Sequence, residues 1–270
     1  MFYWQKSQSA SVYFCEGIAQ TLMAGTHGYA MGQIMDKNMR IRRLTPTETE
    51  RCMSWPDNHT KYGNYNGTIK ELSDTQRYKA CGNGIVSKVS ESIIHNFLPT
   101  GDHKTITTFS GVDGSCLRLD KRFQIVGFAE FDPRNKIQHP SAVLKYHHPD
   151  TPNFGDMTKI KSEDLPEFDL MFTSPPCQSF SISGKGLGFG DTRGTLFHEV
   201  VRILKDHTEC KYLCFENVPG ILSHDHGNTF ITILNEFSKL GFELDFNLYN
   251  AKDFGVPQSR SRMFLLGKRA

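Results

Sequence analysis

The sequence lacks the features that would place the protein in a membrane or outside the cell. None of its apolar runs approaches the ~18 residues of a membrane-spanning helix. Its N-terminus lacks the basic start and apolar stretch of a secretory signal. The seven cysteines are irregularly spaced and form no CxxC pair, which argues against a disulfide framework and a structural zinc site. We therefore expect a cytoplasmic protein in a reducing compartment, without a membrane partner.

The 270 residues are enough for one large domain or two small ones with a buried core. Positive charge is concentrated towards both ends: residues 1–100 carry a net charge of +3 and residues 251–270 of +4, whereas residues 101–250 carry −5. Basic regions around an acidic centre are consistent with a polyanionic partner. Solvated basic termini would give the same pattern, so charge alone does not decide.

Residues 101–270 alternate between short apolar or β-branched runs and longer stretches of helical period. Leu196, Val200 and Leu204, for example, fall on one helical face. This alternation predicts an α/β fold with a doubly wound, mostly parallel sheet, whose ligands bind beyond the carboxyl ends of the strands. The predicted strands cover residues 105–109, 124–128, 169–172, 211–215 and 262–266, and the predicted helices 195–204 and 228–240.

The first 100 residues predict two helices and a linker. Thr45 is a suitable N-cap, because Pro46 follows at the first helical position and Glu48 lies three residues after the cap. A second helix is expected over residues 82–97. The Pro-Thr-Gly-Asp sequence at residues 99–102 then predicts a short linker.

Two segments that follow predicted strands carry groups suited to covalent and acid–base chemistry. Pro175 and Pro176 fix the backbone before Cys177, which places a thiol at a strand end where it could act as a nucleophile. Glu216 follows the strand at 211–215 and could deliver a proton to a ring nitrogen while sulfur adds to a ring carbon. An inert cysteine in a Pro-bounded turn and a helix-capping Glu-Asn pair would explain the same residues without chemistry.

Arg260 and Arg262 lie two residues apart near the last predicted strand. In an extended chain they point to the same side, where two guanidinium groups suit a phosphate or a carbonyl oxygen. A solvated basic edge is the simpler alternative.

Three further segments suit an adenosine-containing cofactor. Small residues around Gly111 allow a ligand close to the backbone. Glu130 lies twenty-one residues beyond Phe109, after the next strand, where an acid can hold ribose hydroxyl groups. Asp156, in a third segment, could bind an adenine amino group. A nicotinamide-dependent dehydrogenase would use the same parts, although it has no need of a cysteine and a glutamate at the neighbouring strand ends.

Together these segments resemble the cytosine-C5 DNA methyltransferases. The similarity rests on FSGVDG, AEFD, GDMT, PPCQSFS, ENV and GVPQSRSR, which follow the family order over residues 105–267. The segment RLTPTE with WPD resembles the ninth family motif, and QRYKACGNGIV resembles the tenth. Both motifs normally lie at the C-terminus but here precede the first, so the chain resembles a circular permutation with its joint at residues 99–102.

The resemblance implies a DNA cytosine-5 methyltransferase that uses S-adenosylmethionine, releases S-adenosylhomocysteine and flips cytosine out of double-stranded DNA. Cys177 would add to cytosine C6 and Glu216 would protonate or hydrogen-bond N3. Arg262 would hold the O2 oxygen, and Arg260 would support the pocket or a phosphate. No metal is needed, because the methyl group leaves a sulfonium, which is already a good leaving group.

The resemblance also implies binding residues. Phe109 and Phe131 would pack on the adenine. The residues expected at the cofactor site are Phe109, Gly111, Glu130, Phe131, Asp156, Met157, Pro175, Leu196, Asn83, Gly84 and Ile85. The residues expected to face DNA are Thr21, Gln178, Ser181, Ser183 and Lys185, the last four on a Gly/Ser-rich loop that would close over the substrate.

The expected organisation is a partial target-recognition domain with the ninth motif at residues 1–75 and a catalytic domain at 76–270. Within the latter, a linker at 98–104 would separate the tenth-motif helix from motifs one to eight. Most of the family's recognition domain is absent, so a second polypeptide could supply the rest. The resemblance favours a bacterial or phage origin and a place in restriction–modification.

The sequence departs from the family at two positions and leaves other functions open. Asp113 stands where the first motif often has glycine, and Trp55 where the ninth usually has phenylalanine. One branch of the family methylates tRNA, which a small recognition region would suit. A cofactor- or DNA-binding subunit without catalysis would also keep this fold, although Cys177, Glu216 and Arg262 are all present.

Overall fold

A computed structural model of the protein describes residues 12–14, 17–24, 33–36, 38–176 and 195–269. The strands in these ranges are β1 (Val12–Phe14), β2 (Ala19–Gln20), β3 (Gln33–Met35), β4 (Ile41–Arg43), β5 (Tyr62–Tyr65), β6 (Thr68–Glu71), β7 (His103–Thr108), β8 (Phe123–Ala129), β9 (Leu170–Thr173), β10 (Tyr212–Asn217), β11 (Glu243–Asn250), β12 (Gln258–Ser259) and β13 (Ser261–Lys268). The α-helices are α1 (Pro46–Cys52), α2 (Asp74–Asn83), α3 (Ser87–Phe97), α4 (His139–His147), α5 (Thr195–Asp206) and α6 (Asn228–Lys239). Within these ranges, no helix has the length and apolarity needed to cross a membrane.

The central sheet has six strands in the order β8-β7-β9-β10-β13-β11. The first four strands are parallel, and β13 is antiparallel to both of its neighbours. This topology confirms the predicted α/β fold with a mostly parallel sheet, and each of the five predicted strands is present within one or two residues of its expected bounds. The edge strand β11 was not predicted. The remaining strands form three small sheets, β1-β3-β4, β5-β6 and β2-β12.

Helices cover both faces of the sheet, as predicted. Side chains alternate between the two faces of the sheet along β10, so Leu213 and Phe215 lie in one hydrophobic cluster with residues of α5 and α6. Tyr212 and Cys214 enter a second cluster on the opposite face, with residues of α3. Because both faces are buried, the residues available for chemistry lie at the ends of the strands rather than on the faces.

The first helix begins at the predicted cap. Thr45 Oγ1 accepts a hydrogen bond from the Glu48 amide at 3.2 Å, and Glu48 Oε2 accepts one from the Thr45 amide at 2.7 Å. This reciprocal pair satisfies two backbone donors that the helix leaves unpaired. The capping box predicted from the sequence is therefore confirmed.

The helix predicted over residues 82–97 is present as α3 and ends at the predicted residue, but it begins at Ser87 rather than at residue 82. The chain forms two helices here, α2 and α3, joined through Gly84, whose backbone is extended at φ −80° and ψ 175°. A Cβ atom on Gly84 would lie 2.4 Å from Cζ2 of Trp55, so the turn depends on a residue that is distant in sequence. Trp55 Nε1 also donates to the Ile85 carbonyl at 3.0 Å, which fixes the turn between the helices.

Helix α3 packs beside the loop that follows the first strand of the main sheet. Ser87 Oγ donates to the Gly114 carbonyl at 2.8 Å, and Ser90 Oγ donates to the Ser115 carbonyl at 2.7 Å. Two helix hydroxyls thus bind the far end of the segment that begins at Phe109. This packing brings the tenth-motif turn next to the predicted cofactor loop.

Candidate active site

Hydrogen bonds outside the sheet ladder connect the carboxyl ends of the parallel strands. The Phe109 amide, just beyond β7, donates to the Ala129 carbonyl of β8 at 2.8 Å. On the other side, Thr108 Oγ1 donates to Thr173 Oγ1 of β9 at 2.6 Å, and the Ser174 amide donates to the Thr108 carbonyl at 3.3 Å. The segments after β8, β7 and β9 therefore form one continuous edge, which is where ligands bind in open α/β sheets.

The end of β10 adjoins the segment that leads to Cys177. Asn217 Nδ2 donates to the Pro175 carbonyl at 3.0 Å, and the Ser174 hydroxyl hydrogen-bonds the Glu216 carboxyl group. The sequence predicts that Glu216 lies at a strand end near the segment that carries Cys177. The structure brings the two segments into contact through Asn217 and Pro175. Ser174 and Asn217 were not assigned a role from the sequence, although both lie inside the SPPC and ENV segments that carry the family resemblance.

Glu216 is a buried acid beside a cation. Its side chain is 8% exposed, and Arg262 Nε lies 3.0 Å from Glu216 Oε1. Burial raises the pKa of Glu216, while the positive charges of Arg262 and Arg260 and the Ser174 hydrogen bond act in the opposite direction. An acid that keeps its proton to higher pH is suited to hydrogen-bond or protonate a ring nitrogen.

Arg260 has a different environment from Arg262. It precedes β13, is 2% exposed, and its guanidinium donates to three backbone carbonyls: Nη1 to Leu22 at 3.0 Å, and Nη2 to both Gly82 and Gly84 at 2.8 Å. Burial lowers the pKa of Arg260 to about 9. Of the two roles expected for Arg260, this geometry favours support of the pocket. At 2% exposure the guanidinium has little access to a phosphate, and the expected phosphate contact stays a prediction.

Glu130 and Gly111 form the centre of the expected cofactor site. Glu130 Oε2 accepts a hydrogen bond from the Gly111 amide at 2.8 Å. Burial raises the pKa of Glu130 to about 7, and the Gly111 amide acts in the opposite direction. Gly111 has φ +57°, and among the described residues no atom lies within 4 Å of where its Cβ would be. The backbone here is open to a ligand, next to a carboxyl group that can bind hydroxyls.

Two aromatic residues flank this centre. Phe109 has φ +55°, which is rare for a bulky residue and marks a constrained turn. Phe131 is 40% exposed, and Lys159 Nζ lies 6.0 Å from its ring centroid. An exposed ring, an open glycine backbone and the Glu130 carboxyl group together fit an adenosine group.

The remaining expected cofactor residues divide into two groups. Asp156 Oδ1 accepts from the Thr158 amide at 3.0 Å and from Thr158 Oγ1 at 2.8 Å, which fixes the carboxyl group at a turn. Met157 is 2% exposed and belongs to the hydrophobic cluster against which Leu196 packs, so the side chain of Met157 supports the turn from the core and its place in the cofactor site stays a prediction.

The turn around Gly84, in the segment that resembles the tenth motif, and the loop after β7 both pack against Trp55. A Cβ on Gly114 would lie 2.8 Å from Trp55 Cζ2 and 2.9 Å from the Ile85 carbonyl oxygen. Asn83, at the end of α2, and Gly84 belong to the same turn. The sequence grouped these residues with Gly111, and the structure places the turn beside the end of that loop. The sequence marks Trp55 only as a departure from the ninth motif and assigns it no contact, because the two glycines near its ring are distant in sequence.

Most of the expected DNA-facing residues lie outside the described ranges. Those are Gln178, Ser181, Ser183 and Lys185, together with the expected nucleophile Cys177. Thr21 is described, and its Oγ1 donates to the Ser259 carbonyl at 2.7 Å on the exposed surface.

Comparison with known proteins gives a consistent family assignment. A sequence profile described as C-5 cytosine-specific DNA methylase matches residues 3–98 and 103–270. The chain is 40% identical over 172 residues to the orphan methyltransferase M.SPRI of Bacillus phage SPR, which covers 63% of this chain and 38% of that protein. It is also 40% identical over 178 residues to the type II methyltransferase M.NlaIV of Neisseria lactamica, covering 61% of this chain and 41% of the relative. The chain thus spans less than half the length of these relatives.

A solved structure supports the fold. The S. pombe Dnmt2 methyltransferase superimposes with a TM-score of 0.50 at 21% sequence identity, covering 62% of this chain and 51% of that one. At this identity the similarity concerns the α/β architecture.

Proposed function

Because the chain belongs to the C-5 cytosine-specific DNA methylase family, we propose that it transfers a methyl group from S-adenosylmethionine to C5 of cytosine in double-stranded DNA. The product of the cofactor would be S-adenosylhomocysteine. The single observation that carries this proposal is the buried Glu216–Arg262 pair, 3.0 Å apart, beside the segment that leads to Cys177. Glu130 and Gly111 lie on the same edge of the sheet, where they fit the cofactor.

Cys177 is the proposed nucleophile. It follows Pro175 by two residues, so chain connectivity alone limits the separation of their Cα atoms to about 7 Å. Pro175 is in turn bound by Asn217, next to Glu216. The thiolate adds to cytosine C6 while Glu216 protonates or hydrogen-bonds N3, and the electron pair moves to C5. After methyl transfer, a base removes the C5 proton and the thiolate leaves with its electron pair.

Arg262 holds both Glu216 and the substrate in this proposal. Its Nε faces the Glu216 carboxyl group and its Nη1 donates to the Ser261 carbonyl at 2.7 Å, which fixes the plane of the guanidinium. The cytosine O2 oxygen then accepts from a donor that is already oriented. A preoriented donor stabilises the charge that develops on the ring without reorganisation during the reaction.

The cofactor residues bind an adenosine group along the neighbouring strand ends. When bound, S-adenosylmethionine supplies an electrophilic methyl group on a sulfonium. Glu130 accepts from the ribose hydroxyls, Asp156 accepts from the adenine amino group, and Phe109 and Phe131 pack on the ring. The turn of Asn83, Gly84 and Ile85 closes the site from the side of α3.

The circular permutation and the domain division belong to the same proposal. The family profile matches in two stretches that are interrupted at residues 99–102, where the sequence predicts the new joint. The hydrogen bonds from α3 to Gly114 and Ser115 support this order, because they bring the tenth motif beside the first. A second polypeptide that supplies further target recognition is part of the proposal.

A methyl-transfer assay tests the proposed function. Tritiated S-adenosylmethionine is incubated with the chain and either duplex DNA of mixed sequence or total tRNA, and the label in nucleic acid is counted. Label in DNA that appears as 5-methylcytosine, and that Cys177→Ala abolishes, supports the proposal. Label in tRNA alone would instead identify the tRNA branch.

The same assay separates the remaining alternatives. If the pure chain is inactive, adding candidate partner polypeptides tests whether the enzyme is split. Binding of S-adenosylhomocysteine without transfer in any combination would identify a non-catalytic subunit. Binding of a nicotinamide cofactor in place of S-adenosylhomocysteine would overturn the family chemistry.

A further inference from the structure

A short segment near the N-terminus lies across the arginine motif. We call residues 19–24 the strap. Its strand β2 pairs in parallel with β12, and Thr21 Oγ1 donates to the Ser259 carbonyl at 2.7 Å. Leu22 is 4% exposed and anchors the strap in a small hydrophobic cluster with Leu44. The strap is therefore a packed element, and Thr21 places part of it on the surface expected to face DNA.

Both backbone groups of Leu22 are held by buried side chains of the arginine motif. The Leu22 amide donates to Gln258 Oε1 at 3.2 Å, and its carbonyl accepts from Arg260 Nη1 at 3.0 Å. Gln258 is fully buried, and its Nε2 donates to the Cys52 carbonyl at 2.9 Å. These bonds fix the strap at one residue, from two sides.

Arg260 connects this fixed point to the cofactor side. We call residues 82–85 the cofactor turn. The Nη2 atom of Arg260 donates to the Gly82 and Gly84 carbonyls, both at 2.8 Å, while Nη1 donates to Leu22. One rigid, planar guanidinium thus spans the cofactor turn and the strap. A shift of the Leu22 carbonyl, or of the Gly82 and Gly84 carbonyls, must therefore move or break the bonds to the other segment.

The strap and the cofactor turn also touch directly. A Cβ atom on Gly82 would lie 2.3 Å from the Ala24 amide nitrogen and 2.4 Å from Ala24 Cα. The two backbones are packed without an intervening side chain. Because closely packed backbone segments cannot compress, a displacement of the cofactor turn at Gly82 also displaces the strap at Ala24.

We propose, resting on the proposed function, that Arg260 is a positioning residue that couples the cofactor turn to the strap, so that cofactor binding and contact of the strap with DNA strengthen each other. Contact of the cofactor with Gly84 and Ile85 restricts the motion of the cofactor turn. Because Arg260 is hydrogen-bonded to both segments, the motion of Leu22 is then restricted as well. By linkage, DNA contact at the strap raises the affinity for the cofactor by the same factor.

Hydrogen–deuterium exchange with S-adenosylhomocysteine as the probe tests this coupling without DNA and without turnover. Calorimetry first establishes binding to the wild-type chain. Exchange is then followed in peptides covering residues 17–24, with and without saturating ligand. We expect exchange in the strap to slow roughly fivefold or more on binding, the lower end of ordinary coupling.

Two variants assign the coupling to Arg260. Arg260→Met keeps an unbranched apolar stem and removes all three hydrogen bonds of the guanidinium, so ligand binding should persist while the ligand-dependent protection of the strap is lost. Arg260→Lys keeps the charge and should retain part of the protection, and it serves if the methionine variant does not fold. Arg51→Met is the matched control: it removes an exposed arginine outside the strap and the cofactor turn, and it should leave the strap protection unchanged.

Each outcome decides between the two proposals. Failure of the wild-type chain to bind S-adenosylhomocysteine overturns the proposed function and the coupling with it. Binding without any change in the strap overturns the coupling and leaves the proposed function standing. Full protection retained in a folded Arg260→Met variant shows that the direct contact at Gly82 suffices, which overturns the role of Arg260.

Discussion

Arg262 Nε lies 3.0 Å from Oε1 of Glu216, which joins the antiparallel strand β13 to the carboxyl end of β10. The side chains of Arg262 and Glu216 are 17% and 8% exposed, so the pair is shielded from bulk water. Such shielding strengthens the attraction between the charges and makes the state of the Glu216 proton sensitive to its neighbours.

Replacement of Glu216 by glutamine should reduce but not abolish methyl transfer. The amide can still hydrogen-bond a ring nitrogen but cannot donate the acidic proton, and general acid help contributes roughly 10²–10⁴-fold. Cys177→Ala should abolish turnover, because the covalent step is lost. Incorporation of labelled methyl into DNA measures both, with exposed Glu243→Gln as the control. Full activity of Cys177→Ala would refute the covalent mechanism.

Glu130 should make the stability of the fold depend on pH. Burial raises its pKa from 4.5 to about 7. The stabilisation from the more tightly held proton is therefore fully present below pH 4.5 and is lost as the pH rises through about 7. The loss is at most about 3 kcal/mol, since each pKa unit corresponds to about 1.4 kcal/mol and the group is only partly buried.

Urea unfolding of the wild type and Glu130→Gln at pH 5.5 and pH 8.5 measures this effect. The free energy of unfolding of the variant should rise relative to the wild type between the two pH values. Glu163→Gln removes an exposed acid and should follow the wild type at both. Parallel pH profiles of wild type and Glu130→Gln would contradict the assignment.

Alanine at Gly84 or Gly114 should destabilise the protein and weaken cofactor binding. The new Cβ would lie 2.4 Å from Trp55 Cζ2 at position 84 and 2.8 Å at position 114, so either the ring or the turn must shift. Overpacking of this kind costs about 1–3 kcal/mol. Thermal unfolding and titration with S-adenosylhomocysteine measure the two effects.

Gly220→Ala is the control for these substitutions. Among the described residues, no atom lies within 4 Å of its Cβ position, and its φ is not positive. Its melting temperature should therefore stay near the wild-type value. Equal loss of stability in all three variants would show that the contact with Trp55 is not the cause.

Loss of Arg77 should be strongly destabilising. Its Nη2 donates to both oxygens of Glu50 at 3.1 Å, and the two side chains are 7% and 0% exposed. Removing one partner of a buried ion pair leaves a charge without compensation, which costs about 3–5 kcal/mol. Arg77→Met should therefore lower the free energy of unfolding by this amount, as measured in urea.

The exposed pair Arg51–Asp57 provides the contrast. Its side chains are 63% and 48% exposed, so solvent already screens the interaction. Arg51→Met should leave stability almost unchanged. A similar loss in both variants would show that burial does not set the strength of the Arg77 pair.

Local patterns in the sequence were sufficient for the core strands and the first helix. The strand that contains Met171 and Phe172 is a continuous apolar run, and Thr45, Pro46 and Glu48 cap α1 through neighbouring residues alone. Strand β11 was missed because it is an edge strand whose middle, including Phe246 and Leu248, is exposed. Exposed edge strands lack the buried run that marks a central strand.

Features that depend on contacts between residues distant in sequence could not be predicted from local patterns. Gly82, Asn83 and Gly84 are local turn signals, but the contact of Gly84 with Trp55, about thirty residues upstream, is visible only in the folded chain. Family motifs placed Glu216, Arg262 and Glu130 on one edge, and the structure brings Glu216 and Arg262 into contact. The motifs did not distinguish Arg260 from Arg262. Only the folded chain shows that the Arg260 guanidinium donates to three backbone carbonyls, whereas Arg262 faces Glu216.

Trp55 therefore acts as a spacer. A Cβ atom on Gly84 or on Gly114 would lie within 3 Å of the same ring atom, Trp55 Cζ2, so one rigid indole ring limits how closely two loops from separate parts of the chain can approach it. A smaller ring at this position would let the loops approach, and a bulkier neighbour would force them apart. If the proposed function is correct, one aromatic side chain thereby limits the spacing of the turn and the loop expected to bind the cofactor, without touching the cofactor itself.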